Sequence, residues 1–331
     1  MTTYPRRLLL VVFVFALCCT SASAQEPAIA TRVASETETL YQAADELYKA
    51  NKFEEAIQLL TKITTVRPEW AMAHNALCVS HTRAGHPHRA IKACKRALGL
   101  EPTLVSSHFN LGVIYDSSGR DKEAAESFKH VLALKPDHTK ARYSLAGVYA
   151  DLKLTEPAIH EYQRVIRESP DHKDAYFALG TLYFKLSNYE ASAEMLQQVI
   201  RLVPEDVTTR TNLGVVYISQ RKFREAVNPL KEAIRLDPSA AQAHHFLGYA
   251  YLSLGKKQSA FQALQAAVKL QSSNAESRYF LGLASLSLGK RDDAIAQYAA
   301  LETLGSDLAK QLYGVIYQDK IINVEQAKRL P

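Results

Sequence analysis

Histidine and cysteine are the side chains best suited to hold a metal or attack a substrate, and this chain of 331 residues carries eleven and four of them. Their spacing does not assemble them. His86-Pro87-His88 reads as a turn, and His74 and His108 recur one above the other in a repeating column. Neither is the i, i+4 histidine pair with a carboxylate on the same helix face that a zinc hydrolase needs. No G-x-S-x-G, phosphate-binding loop or glycine-rich dinucleotide turn occurs. The expectation is a chain without catalytic residues, metal or cofactor, and not an enzyme.

The cysteines divide by location. Cys18 and Cys19 lie in an N-terminal segment with Arg6 and Arg7, an apolar run from Leu8 to Cys19, and Ala22-Ser23-Ala24 in the pattern of a signal-peptidase site. Cleavage there would leave Gln25 first, and the run is too short to span a bilayer as a helix. The residues before Cys18 and Cys19 are a poor box for lipidation. Cys78 and Cys94 remain in the exported chain. Both fall on core positions, so two buried thiols are expected, although an oxidising compartment would permit a disulfide. Two cysteines at this spacing give no zinc pattern.

The elements that must position these residues come from one recurring stretch, His108 to Pro136. Leu111, Gly112 and Tyr115 lie at helical spacing, Gly119 breaks the pattern, Ala124, Phe128, Val131 and Leu132 restore it, and Pro136 ends it. This is a helical hairpin, and from Thr37 it repeats every 34 residues without insertion: 37–70, 71–104, 105–138, 139–172, 173–206, 207–240, 241–274 and 275–308. Residues 25–36 read as a linker, with Ser35 and Glu38 as a capping box for the first helix.

The columns are consistent. Position 20 is always small, from Ala56 through Ser192 to Ala294. Position 8 is small too, with Cys78 and then Gly112, Gly180, Gly214, Gly248 and Gly282. Position 32 is Pro68, Pro102, Pro136, Pro170, Pro204 and Pro238 before giving way to Ser272 and Ser306. Position 4, with His74, His108, Arg142, Arg210, His244 and Arg278, does not suit a packing role. Pro229 falls inside a second helix, where it removes a backbone hydrogen bond.

Together these columns resemble the tetratricopeptide repeat, with its small residue at 8, alanine at 20, large apolar residue at 24 and proline at 32. The resemblance implies an all-α, right-handed superhelical solenoid of eight helix-turn-helix repeats. Leu308, Leu312, Val315 and Ile316 would cap its end within residues 309–331, with Ile321, Ile322 and Val324 extending the cover or docking elsewhere.

The resemblance also implies that first helices line a concave groove, faced by positions 2, 5, 9, 12 and 13. Position 5 reads Tyr41, Asn75, Phe109, Tyr143, Phe177, Thr211, His245 and Tyr279. Tyr41, Phe109, Tyr143, Phe177, His245 and Tyr279 are therefore the expected partner-binding residues, since rigid rings make good anchors. The competing expectation is that the same rings pack between repeats. Asn110 and Asn212 sit at position 6, but no adjacent repeat supplies a position-5 lysine, so a clamp for acidic C-terminal tails is not expected. Nor does position 6 form a regular asparagine ladder.

The net charge of +6 loses Arg6 and Arg7 with the leader, leaving 38 basic against 34 acidic residues, too mild and dispersed for nucleic acid. Charges such as Lys122, Glu123, Glu126 and Lys129 are the solvated face of an amphipathic helix, with no one-sided basic stripe for a membrane. The expectation is an exported, periplasmic scaffold or adaptor for a protein or peptide partner. The alternatives are an assembly factor for an envelope secretion or polysaccharide-export machine, and a small-molecule or glycan binder. The bacterial host is read from the simple leader and the lack of an N-x-[ST] acceptor.

Overall fold

A computed structural model describes residues 31–317. The leader, the first part of the linker, and Ile321, Ile322 and Val324 lie outside the described residues. The chain forms two compact units divided after Leu154. All secondary structure among the described residues is helical.

The first unit holds α1 (31–49), α2 (Phe53–Val66), α3 (Ala71–Arg83), α4 (Pro87–Leu100), α5 (Val105–Ser117), α6 (Asp121–Leu134) and α7 (Thr139–Asp151). The second holds α8 (Thr155–Glu168), α9 (Lys173–Lys185), α10 (Tyr189–Leu202), α11 (Val207–Ser219), α12 (Phe223–Leu236), α13 (Ala241–Ser253), α14 (Lys257–Leu270), α15 (Ala275–Ser287), α16 (Arg291–Thr303) and α17 (Leu308–Tyr317). In both, consecutive helices pack as hairpins, and first helices such as α3 and α5, or α13 and α15, also touch each other. From α3 on, every first helix begins at position 1 of the 34-residue period.

One expected boundary moves. Residues 31–36 are already helical, so Ser35 lies inside α1 and caps nothing; its carbonyl accepts a bond from Thr39 Oγ1. No glycine or proline interrupts Thr31 to Ala34, so the helix runs back through the expected linker.

The turn between the helices of a repeat is set by position 15. All eight occupants have positive φ: Gly85, Gly119, Gly255 and Gly289, but also Asn51, Lys153, Ser187 and Arg221. Their N–H and the next one bond back to the carbonyls of positions 12 and 11, as Ser187 does to Phe184 and Asn188 to Tyr183. This is the left-handed C-terminal cap that closes a helix.

In the third, sixth and seventh repeats the seam joins position 8 to position 24. A Cβ at Gly112 would come within 2.5 Å of Phe128, at Gly214 within 2.5 Å of Leu230, and at Gly248 within 2.4 Å of Leu264. Only hydrogen fits there. In the second repeat these two positions are Cys78 and Cys94, and they form a disulfide with Cα atoms 5.2 Å apart. The expectation of two free thiols is therefore corrected. Columns 8 and 24 face each other across the hairpin at bridging distance, which a reading of each column as core does not reveal.

The last repeat closes differently. Its position-24 residue, Tyr298, turns to Tyr313, 5.5 Å between ring centroids. The seat on Gly282 is taken by Leu312 of α17, which a Cβ would meet at 2.6 Å. Leu308, Leu312 and Ile316 are buried on α15 and α16. Pro229 sits buried inside α12, which runs on through it to Leu236.

The polar residues at position 4 have a common partner. His74 Nε2 lies 3.0 Å from the Pro68 carbonyl oxygen, His108 Nε2 2.8 Å from that of Pro102, and His244 Nε2 3.1 Å from that of Pro238. A carbonyl only accepts, so each Nε2 carries the proton. Arg142 donates to Pro136, Arg210 to Pro204 at 2.7 Å, and Arg278 to Ser272 at 2.6 Å. The column ties each first helix to the turn that precedes it, satisfying a carbonyl that no helix ladder reaches.

Candidate functional site

The groove expectation rests on where position 5 points, and the structure turns that column toward the next repeat. Asn75 is buried, and its Oδ1 accepts bonds from Ser107 Oγ at 2.8 Å and Asn110 Nδ2 at 3.1 Å. His245 makes the equivalent contact one unit later, its Nδ1 lying 2.8 Å from Ser277 Oγ. In both, position 5 meets position 3 of the following repeat.

The expected partner-binding residues follow the same geometry. His245 is 6% exposed and edges against Phe246 and Phe280; Tyr279 is 5% exposed and packs on Phe280 within the α13 to α17 core. Both rings are buried in that cluster, the arrangement of the competing expectation that the rings pack as core. Burial alone lowers the His245 pKa to about 4 and raises that of the Tyr279 phenol. Glu276 Oε2, 3.8 Å from His245 Nε2 and largely exposed, offsets little of this.

Phe109 is half-buried, stacked 5.2 Å from His138 and tilted 5.8 Å from Phe128. Phe177 is half-buried beside Leu196 and Leu213. Tyr143 is also half-buried. Tyr41 borders a cleft, its ring 5.0 Å from Trp70. Its phenol is pushed up by burial and then by Asp45 and Glu38.

Other columns contribute more exposed residues to the surface of the first helices. Met72 at position 2 is 43% exposed and Val113 at position 9 is 37% exposed. In the first unit, Tyr41, Asp45, Tyr48, Asn75 and Val79 surround a cleft of about 180 Å³ between α1 and α3. Asp116, at position 12, has its carboxyl pKa raised by burial and by Asp151 and Asp121. In the second unit, Phe184, Asn212 and Val215 border a cavity of about 170 Å³ between α9 and α11. These residues sit at positions 2, 5, 6, 9 and 12, so position 5 contributes only Tyr41 and Asn75, and the columns at 2, 9 and 12 are already among those expected to face the groove.

The strongest remaining candidates for chemistry are His81 and His86, with rings 5.7 Å apart and both Nδ1 atoms buried without a hydrogen-bond partner. Burial, then the His86 and Arg89 charges, lower the His81 pKa. The nearest carboxylate, Glu54, stays 3.8 Å from His86. Among the described residues, no three His, Cys, Asp or Glu side chains are grouped to hold a metal, and no helix is long and apolar enough to cross a membrane.

Comparison with known proteins agrees with this frame. The profile of the tetratricopeptide repeat matches residues 41–104, 105–138, 155–207, 211–275 and 247–309. No curated protein sequence matches the chain. Among solved structures, the C-terminal part of a TPR repeat-containing protein from Cytophaga hutchinsonii is similar with a TM-score of 0.65 at 16% identity, over 73% of this chain and 99% of that one. A tetratricopeptide repeat protein from Parabacteroides merdae gives 0.54 at 20% identity, over 74% and 98%. YrrB, described as a TPR protein with an unusual peptide-binding site, gives 0.50 at 20%, over 56% and 96%. With matching profiles over most of its length and paired helices in register with them, this chain belongs to the tetratricopeptide repeat family.

Proposed function

We propose that the protein is a non-catalytic scaffold that binds a peptide or helix of a protein partner along its first helices. The repeat fold supports a protein-interaction scaffold in general terms. The observation that carries the finer reading is the pair of clefts, each formed by consecutive first helices within one unit and bordered by aromatic, aliphatic and amide groups. Such a mix suits an extended chain, which needs apolar pockets for side chains and polar groups for its backbone. YrrB's peptide-binding site offers a precedent on this fold.

Export to a periplasm is part of the same proposal. The leader motif motivates it, and the Cys78–Cys94 disulfide supports it, because such bonds persist in oxidising compartments.

The test is capture of envelope proteins on residues 25–331, compared with Met72→Glu and Val113→Glu variants. Both side chains are exposed, so the changes leave the core intact. A partner retained by the parent chain and lost by both variants is expected. An identical set of partners on all three would overturn the reading.

A further inference from the structure

Among the position-8 glycines of the described repeats, Gly180 is the one whose seat no side chain presses into closely; the others are filled by their own position-24 residue or, at Gly282, by Leu312. A Cβ there would meet Met195 Cβ at 3.2 Å and Leu196 at 3.3 Å, against 2.4 to 2.5 Å from Gly112, Gly214 and Gly248 to their plugs. The space that Leu196 leaves opens into the cavity of about 170 Å³ between α9 and α11. Phe184, Leu196, Val215 and Val216 form its apolar walls.

The cavity wall also holds a polar group without a partner. Ser192 takes position 20, where the other repeats have alanine. It is wholly buried, lines the cavity, and its Oγ has no hydrogen-bond partner. Thr181, on the opposite helix, has its hydroxyl occupied by the Phe177 carbonyl at 2.9 Å. A buried hydroxyl is normally satisfied, and an orphan marks a place where something else supplies the bond.

Size, apolar walls, the orphaned Ser192 hydroxyl and the Asn212 amide at the border define a ligand. A cavity of about 150 Å³ is known to hold benzene, so this one admits one six-membered ring. No cation lines it, which disfavours a carboxylate or phosphate. Ser192 Oγ can donate or accept, so it fits one hydroxyl on the ring.

We propose that the cavity over Gly180 binds a phenol ring, its hydroxyl paired with Ser192 Oγ. The ring comes either from a tyrosine of a partner chain or from a free phenolic compound. The cavity is one of the two clefts of the scaffold reading, so the partner-tyrosine source rests on that reading, whereas the free phenol does not.

Titration of the full mature chain with p-cresol, toluene and N-acetyl-L-tyrosinamide, followed by NMR, tests it. p-Cresol is expected to bind about two- to twelvefold tighter than toluene, the range of one net hydrogen bond. Ser192→Ala, which restores the alanine of the other repeats, should erase that preference while toluene binding and melting temperature are kept. Binding of the tyrosinamide beside p-cresol assigns the site to a partner's side chain; binding of p-cresol without it assigns a free phenol. Equal affinities for p-cresol and toluene, a preference that survives Ser192→Ala, or no binding of any probe would overturn the proposal. Partner capture by Ser192→Ala reads the scaffold function separately.

Discussion

Cys78 and Cys94 stand at the two positions where Gly112 meets Phe128 one repeat later and Gly214 meets Leu230 in the sixth repeat. A covalent bond has replaced a close-packed contact at the same point of the seam. Both sulfurs belong to fully buried residues, so the bond holds α3 against α4 from inside the core.

Removing that bond should weaken the first unit. The residues are 16 apart in sequence, and a loop of about 15 residues corresponds to about 3 kcal/mol in the chain-entropy estimate. Cys78→Ala with Cys94→Ala is expected to lose a stability of that order in urea titration. Cys78→Gly with Cys94→Leu copies the Gly214–Leu230 pair and is expected to recover much of the loss. Equal stability of both variants would show that the seam does not act as described.

The glycine seats should separate by how tightly they are filled. Gly248→Ala puts a Cβ 2.4 Å from Leu264 and is expected to cost about 1–3 kcal/mol, the range of core overpacking. Gly180→Ala meets its nearest neighbour at 3.2 Å, and the gain in helix propensity of up to about 1 kcal/mol offsets the contact, so a change near zero is expected. Parallel thermal melts of the two variants check the difference.

Position 15 offers stabilising changes. Ser187 has φ of 60°, a conformation that costs a residue with a Cβ about 1–2 kcal/mol. Ser187→Gly removes this strain and pays part of it back in chain entropy, for a net gain of up to about 1 kcal/mol. Gly119→Ala, with φ of 66°, is the mirror experiment and should destabilise. Chemical denaturation of both variants measures the pair.

Acid should destabilise the second unit through His245. Its folded-state pKa is lowered from 6.5 to about 4 by burial. Between those values the unfolded chain takes up a proton that the folded one refuses, so stability falls as pH drops from about 6.5 to about 4 and levels off below. The full effect is about 3 kcal/mol. His81, with its pKa also lowered, acts in the same direction in the first unit. Denaturation midpoints from neutral pH down to about 4 should fall more steeply for the parent chain than for His245→Gln.

Much of this architecture is legible in the sequence because a repeat multiplies weak signals. Gly119 alone is an ordinary turn residue, but its column makes Lys153, Ser187 and Arg221 equally strained. The roles that sequence misses belong to contacts between repeats. Asn75 and His245 have the spacing of a face, yet each hydrogen-bonds to position 3 of the following first helix. His108 and Arg142 stand out as unsuited to packing, and their reason lies six residues upstream in a proline carbonyl. Cys78 and Cys94 read as core one at a time; only the hairpin brings their columns face to face.

The central claim is that a partner docks on the first helices. The direct test is the affinity of a captured partner for the parent chain, for Met72→Glu with Val113→Glu, and for a second-helix control, Lys122→Glu with Glu126→Lys. A loss of about 2 kcal/mol or more of binding, roughly thirtyfold, is expected for the first pair, with no change for the control. Undiminished affinity in the Met72 and Val113 variant, or a loss confined to the control, would contradict it.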